Sequence, residues 1–480
     1  MADKKVKSIT SKSENIAKWY TDVCTKAELR DYAQAKGFII YRPDGYALWE
    51  GIQSYFDKRI KQLGVKNVYL PSLIPRSLLE KEEDFVKGFA PECAVVTRGG
   101  SKDLSEPFVV RPTSETLFCD HFKDIVHSYN DLPVKYNQWC SVVRWEKTTR
   151  PFLRGSEFLW QEGHTLHESE NEAREFALSI LRLYNEMGRD LLAIPFVRGK
   201  KPESEKFAGA VDTYTIEALR PDGQALQCGT THYLGQNFCK AYNIRYLNKE
   251  NQICYPHYTS WGRSTRLIGA LIRIHGDDEG LVLPPMIAPT QVRIIPIRAD
   301  KDKRIRETAN QIKDELAKQG VRIEIDSSDK TPGWKFSQYE RKGIPLRIEI
   351  GPKDIEKGTL ALSIRYSGEK KFLAIEEAVK EIPQLLKEIQ EGRYQKALAF
   401  LNSHIHEVHS YEEIKQVVTT GGGFAKTRTN HQDESEDEAK LKADFNATPR
   451  VMPFNQEAFD EKDALTGNKA DHVVYFARAY

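Results

Sequence analysis

Arg144, Arg154 and Arg266 are the residues of this chain best suited to grip a phosphate chain. A guanidinium is planar, stays charged at any working pH and contacts two phosphate oxygens at once. No backbone grip offers itself. The sequence has neither G-x-x-x-x-G-K-[ST] nor a G-x-G-x-x-G following a strand pattern, and Gly421-Gly422-Gly423 reads as a plain flexible loop. A nucleotide bound here would be held by side chains. Glu146 follows Arg144 at i+2, which on a strand puts both side chains on one face. Taken alone, that spacing also fits an ordinary buried ion pair. Phe158 has the ring to stack on a nucleobase, and equally the character of a core aromatic.

The elements that would carry these residues can be read from periodicity. Residues 14–36 predict a polar-faced helix ending at Gly37, followed by a strand at Phe38–Tyr41. Trp49, Ile52, Phe56, Ile60 and Leu63 recur at steps of three and four, predicting a helix stopped by Gly64. Asn67–Leu70 reads as a strand running into Pro71. Trp139–Trp145 and Phe158–His164 predict an antiparallel hairpin with a long connection, which puts Arg144 on its first strand and Arg154 in its loop. Ser169 to Glu172 has the form of a capping box before a helix bearing Phe176, Ile180, Leu183, Met187 and Leu191.

Pro284-Pro285 marks a boundary, and beyond it the texture changes. Gln291–Ile297, the Ile305/Ala309/Ile312/Leu316 helix and Val321–Ile325, with Leu346–Ile350 as another strand, give a β-α-β alternation that predicts a small α/β domain at about 288–395. Residues 426–444 are polar and read as a loop, while His472–Tyr480 is ordered in character. Domains are expected at 1–287, 288–400 and 401–480. A chain of 480 residues is too long for one ordinary core.

Hydrophobic residues at 40% and charged residues at 29% suit a globular protein with no membrane span. The net charge of +2 argues against a generally basic nucleic-acid binder, but leaves room for a local basic face. The polar, Lys-rich Met1–Thr10 lacks a secretory core. Seven cysteines at irregular spacing, with no C-x-x-C, point to a reduced cytoplasm.

Read together, these segments resemble class II aminoacyl-tRNA synthetases. Ser141–Glu146 with Arg154 and Phe158–His164 resembles motif 2. Gly45–Pro71 resembles motif 1, the dimer-forming helix and strand, and Ser260–Arg266 resembles motif 3. Arg111–Glu115, Leu226–His232, Leu234–Phe238, His275–Asp277 and Gly280–Pro285 narrow the resemblance to the prolyl-tRNA synthetases, from about residue 14 to Tyr480. The stretch from His164 to Ser260 is too short for the editing insertion of bacterial-type enzymes, so the chain is similar to the archaeal/eukaryotic-like type.

The resemblance implies an α/β (α+β) catalytic domain with an antiparallel sheet, an α/β anticodon-binding domain and a small C-terminal α+β domain. It implies ATP-dependent activation of L-proline and transfer to tRNA(Pro) by a homodimer joined through the motif 1 region. Arg144, Glu146 and Arg266 would be catalytic. Arg144, Glu146, Arg154, Phe158, Gln227, Thr230 and Arg266 would hold ATP, with Mg²⁺ bridging its phosphates. Thr113, Glu115, Arg144, Trp160, Glu162, His164, Phe207, His232 and Ser264 would form the proline pocket, Thr113 and Glu115 receiving the ring nitrogen. Glu340 and Arg347 would read anticodon bases, and Tyr480 would reach back towards the active site.

The C-terminal domain of this type often binds zinc through four cysteines. No Cys follows Cys254, so no zinc is expected. His404, His406 and His409 read as a surface group on a helix. A pocket of proline's size rejects alanine and cysteine by only about 1–3 kcal/mol, so some misactivation is expected. Two other readings compete. One is another enzyme of the class, threonyl or glycyl, of which the threonyl type needs a Cys/His zinc site that cannot be assembled here; the other is a non-catalytic tRNA-binding paralogue, which would have lost the phosphate arginines.

Overall fold

The computed structural model describes residues 9–81, 93–430, 436–457 and 459–480. Its spine is an eleven-stranded sheet. The strands in chain order are β1 (Lys66–Asn67), β2 (Val134–Val143), β3 (Glu157–His167), β4 (Val197–Lys200), β5 (Asp212–Leu219) and β6 (Gln224–Gly235). They continue with β7 (His257–Ser264), β8 (Ile405–Glu407), β9 (Phe424–Thr429), β10 (Ala447–Pro453) and β11 (His472–Ala479). Their spatial order is β8-β9-β11-β10-β4-β5-β6-β7-β3-β2-β1. The run from β4 to β2 is antiparallel throughout.

Two helices cover one face of this sheet. Pro43–Gln62 starts on Pro43, whose missing N–H costs nothing at a helix start. It buries Trp49, Ile52, Phe56 and Ile60 of the periodic face read in the sequence, with Leu48 beside them, while Leu63 falls at its C-terminal cap. Glu170–Met187 is capped by the Ser169 side chain, which accepts from Glu172 N. The Glu172 carboxylate turns instead to His167 Nδ1, 3.1 Å away. These helices share one core, in which Phe56 meets Tyr184 and Trp261.

A separate five-stranded sheet, with Val292–Pro296 and Leu346–Ile350 at its centre, packs against the helices Lys303–Lys318 and Ile375–Ser403. The second helix contains Pro383. Proline cannot donate to the carbonyl four residues back, and Gln319 Nε2 supplies that bond to Val379 O at 3.4 Å.

Several sequence expectations are corrected. The first helix spans only Ile16–Lys26, because Glu28 takes a left-handed φ of 59° and the chain turns into a strand at Arg30–Tyr32. The Asn67–Leu70 strand shrinks to Lys66–Asn67, since side chains take over its pairing: Gln138 Oε1 accepts from Leu70 N, and Arg111 Nη1 donates to Leu70 O. The first hairpin strand ends at Val143, so Arg144 and Glu146 lie beyond it and share no strand face. Residues 426–444 are not simply a loop: β9 runs to Thr429 and a helix spans Glu436–Phe445, with 431–435 outside the described residues. His404 caps a helix, and His406 lies on β8.

The glycine run has a structural role. Gly421, Gly422 and Gly423 all have positive φ, at 94°, 73° and 121°, values that non-glycine residues adopt only under strain. A Cβ on Gly422 would lie 2.6 Å from Gly223 Cα, and Gly423 N donates to Gly223 O at 3.0 Å. This contact and the β4–β10 and β6–β11 pairings fuse the last part of the chain to the main sheet.

Candidate active site

Strand alternation builds the site. On β3, residues 158, 160, 162 and 164 are two apart and project to one face. The register then sets rows across the sheet. His164 stands beside Ser260 and Ser260 beside His232, while Glu162 stands beside Gly262 and Gly262 beside Thr230. Trp160 stands beside Ser264. These rows line a cavity of about 260 Å³ together with Thr113, Glu115, Arg144, Phe158, Phe207, Gln227 and Arg266. Gly262 keeps the middle row open.

The acidic end is buried. Glu162 is 2% exposed. It accepts from Ser114 N and Oγ at 3.1 and 2.6 Å and from Gln138 Nε2 at 2.6 Å, and it meets His164 Nε2 at 3.2 Å. Burial works to raise its pKa, but the bonds from His164, Ser114 and Gln138 win and hold it below the usual carboxylate value. Glu115 shows the opposite balance. Burial, aided by the Glu162 charge, raises its pKa against the pull of His164 and Thr113. Two neighbouring buried carboxyls are thus shifted in opposite directions.

His232 is held neutral. Burial, with the charge of His164 adding to it, lowers its pKa to about 3. Its Nδ1 meets Thr213 Oγ1 at 2.9 Å and its Nε2 meets Thr230 Oγ1 at 3.0 Å. The Phe207 ring covers it at 4.4 Å between centroids. The His164 ring is clamped between Tyr258 OH, 2.6 Å from its Nδ1, and the stacked Phe118 ring at 3.9 Å.

The basic end faces the same space. Arg144 Nε donates to Pro112 O at 3.0 Å, with its guanidinium 5.5 Å from the Phe158 ring and 5.4 Å from the Trp160 ring. Arg266 opens the helix Arg266–His275, and its guanidinium donates to Leu153 O and Gln227 O at 3.1 and 3.3 Å. Burial lowers its pKa, and the nearby Arg154 charge adds to that. Arg154 is set apart. With Phe158 it lines a smaller adjoining cavity, and its Nε lies 3.7 Å from Glu146 Oε2. Of the fifteen predicted residues of the catalytic region, thirteen line the main cavity; Glu146 and Arg154 do not.

Sequence reasoning missed the residues that support the pocket. Ser114 and Gln138 fix Glu162, and Thr213 fixes His232. The β2–β3 register places Gln138 opposite Glu162, which spacing along one strand cannot reveal. Glu205, also missed, lines the cavity from the connection between β4 and β5.

Glu340 and Arg347 lie together elsewhere. With Asp277 and Arg365 they line a cavity of about 490 Å³ beside the five-stranded sheet. Arg347 Nη1 is 3.9 Å from Glu340 Oε1, and its Nη2 is 3.0 Å from Glu349 Oε1.

The chain was compared with known families. Residues 97–275 match the tRNA synthetase class II core domain (G, H, P, S and T). Residues 291–385 match an anticodon binding domain, and 411–480 match the prolyl-tRNA synthetase C-terminal domain. The proline–tRNA ligase of Clostridium botulinum (strain Loch Maree / Type A3) is 52% identical over 479 residues, covering 100% of this chain and 99% of the relative. That of Lachnoclostridium phytofermentans is 53% identical with the same coverage. Proline–tRNA ligase 2 of Bacillus cereus is 51% identical over 480 residues and the whole of both chains. These relatives are bacterial, so the resemblance to the archaeal/eukaryotic-like type concerns architecture. Between His164 and Ser260 this chain builds only β4–β6, their flanking helices, short 3₁₀ and π turns and one small hairpin. On this evidence the chain belongs to the prolyl-tRNA synthetases, a family of class II aminoacyl-tRNA synthetases.

Proposed function

We infer that the protein is a proline–tRNA ligase, activating L-proline with ATP and passing the prolyl group to the terminal ribose of tRNA(Pro). The observation that carries this reading is the single cavity with buried carboxyls at one end and the Arg144 and Arg266 guanidinium groups at the other. Proline carries a cationic ring nitrogen and an anionic carboxylate, and the cavity's charges run in the complementary order.

In this reading Thr113 and Glu115 receive the ring nitrogen. Trp160, Phe207 and His232 wall the ring, with Glu162, His164 and Ser264 as polar support. The proline carboxylate attacks the α-phosphorus of ATP and pyrophosphate leaves. Arg144 neutralises charge growing on the α-phosphate, as a preorganised cation should. Arg266 grips the triphosphate, and with Phe158 sandwiches adenine. Arg154, 3.7 Å from Glu146 in the adjoining cavity, is assigned to the β/γ end. Holding the reactants in line supplies much of the acceleration, so no covalent nucleophile is needed.

The oxygens of Glu146, Gln227 and Thr230 are hard donors, the kind Mg²⁺ takes when phosphates supply most of its shell. Bound Mg²⁺ would add charge neutralisation at the triphosphate. The last domain is assigned no zinc. It has no cysteine, and Val408, Ile414, Val418, Leu441, Val474 and Phe476 give it a core of its own. Domain limits are set at 1–287, 288–400 and 401–480, Glu340 and Arg347 are assigned to anticodon bases, and the exposed Tyr69, Leu73 and Val95 near motif 1 support a homodimer. Seven free cysteines fit a reduced cytoplasm. Among the described residues no helix is long and apolar enough to cross a membrane.

Transfer of labelled proline to tRNA(Pro) tests the function. ATP-dependent charging is expected, and its absence with folded protein and intact tRNA would reject the assignment.

A further inference from the structure

Behind the pocket wall lies a buried ionic cluster that joins two parts of the chain. Glu217 on β5 is fully buried. Lys201 Nζ bonds it at 2.8 Å, and Arg450 Nη2, from β10, bonds it at 3.1 Å. Arg450 is itself 7% exposed, and its Nη1 lies 3.5 Å from Glu205 Oε2. Glu205 is a lining residue of the candidate active site, two positions before Phe207. One guanidinium therefore spans a buried carboxylate farther along β5 and a carboxylate on the pocket wall.

The connection from Lys201 to Val211 is also held by backbone bonds from Glu205 N to Pro202 O and from Ala210 N to Phe207 O, and by the Lys206–Glu203 pair. A short turn at Glu203–Glu205 has no side-chain cap. Phe207 N donates to Thr213 Oγ1 at 3.1 Å, the hydroxyl that also meets His232. From the C-terminal part, Glu438 accepts from Ser204 Oγ at 2.8 Å, and Lys442 stands 3.7 Å from Glu205. Those groups are more exposed than Arg450, so solvent competes for them more.

We propose that Arg450 is a positioning residue for amino-acid binding, holding Glu205 so that Phe207 stays closed over His232. The C-terminal domain thereby completes the proline pocket without touching the substrate. This rests on the proline-pocket reading above. Losing the clamp loosens the wall against proline most: Arg144 keeps its bond to Pro112 O and Arg266 its bond to Leu153 O, while Glu217, which stands opposite Gln227 at the nucleotide end, keeps its Lys201 partner.

Proline-dependent ATP–pyrophosphate exchange of wild type, Arg450→Met, Arg450→Lys and Glu205→Gln tests it. Arg450→Met should raise KM for proline about tenfold, ~1.4 kcal/mol of binding, with KM for ATP and kcat within about twofold. Arg450→Lys should recover part of the loss. Glu205→Gln, which leaves the Arg450–Glu217 pair intact, should raise proline KM in the same sense. Both Arg450→Met and Glu205→Gln should lower the preference for proline over alanine. Unchanged proline KM in Arg450→Met and Glu205→Gln overturns the proposal, as does an equal loss across kcat and both KM values. If Arg450→Met does not fold, Glu205→Gln decides alone: a raised proline KM supports the clamp and an unchanged one rejects it. Wild-type protein with no proline-dependent exchange would reject the underlying function instead.

Discussion

At the scale of single residues, the site separates groups that look alike. Arg144 and Arg154 are ten positions apart in the same motif, yet Arg144 faces the main cavity and Arg154 an adjoining one. Arg144→Ala should therefore be the more damaging change. Removing one preorganised charge-stabilising group costs about 10²–10³ in kcat, and pyrophosphate exchange should show that loss with proline KM changed only a few-fold. A variant retaining full kcat would remove Arg144 from the chemistry. Glu162 makes a prediction in pH. Its folded pKa lies below the ordinary 4.5. Its ionisation therefore stabilises the fold above about 4.5, and that contribution is lost as pH falls through the lower folded value. The Tm gap between wild type and Glu162→Gln should narrow from pH 6 to about pH 3. A gap that widens on acidification would contradict the hydrogen-bond account of Glu162.

At the scale of elements, much of the frame was legible. The 3.6 period from Trp49 to Ile60 marked the helix, and the extended run Phe158–His164 marked the strand that floors the pocket. What stayed hidden depends on pairing across strands. Gln138 matters because the register sets it opposite Glu162, and Thr213 because it faces His232. Local pattern also misled where tertiary contacts override it. The charged stretch after Lys26 looks helical, but Glu28 instead pairs with Lys342, and the chain reverses. The β4–β10 join gives a test at this scale. A Cβ on Gly199 would stand 1.9 Å from Met452 O, so the two backbones meet only because no side chain intervenes. Gly199→Ala should lower Tm by several degrees, at a cost of roughly 1–3 kcal/mol for forced overpacking. An unchanged Tm would mean that the join yields freely.

At the scale of the whole molecule, the motif 3 helix runs between two sites. Arg266 at its start faces the candidate nucleotide end, and just past its last residue Asp277 receives Arg365 through two bonds of 2.8 and 2.6 Å. Arg365 comes from the anticodon-binding part, beside the cavity that holds Glu340 and Arg347. Asp277→Asn should slow charging of tRNA more than it slows proline activation, by about threefold or more, since a part-exposed charged pair is worth about 1 kcal/mol. Equal effects on both reactions would show that the contact serves stability alone. The three matched regions lie on a chain that aligns over its full length with its relatives, and the strands of the last matched region pair with the catalytic sheet.

The most direct measurement is ATP–pyrophosphate exchange with each amino acid in turn. Proline should give the highest kcat/KM, with alanine and cysteine showing weaker but detectable exchange, because a small apolar pocket discriminates between near-isosteres by only about 1–3 kcal/mol. Exchange that favours threonine or glycine, or that no amino acid stimulates, would contradict the account.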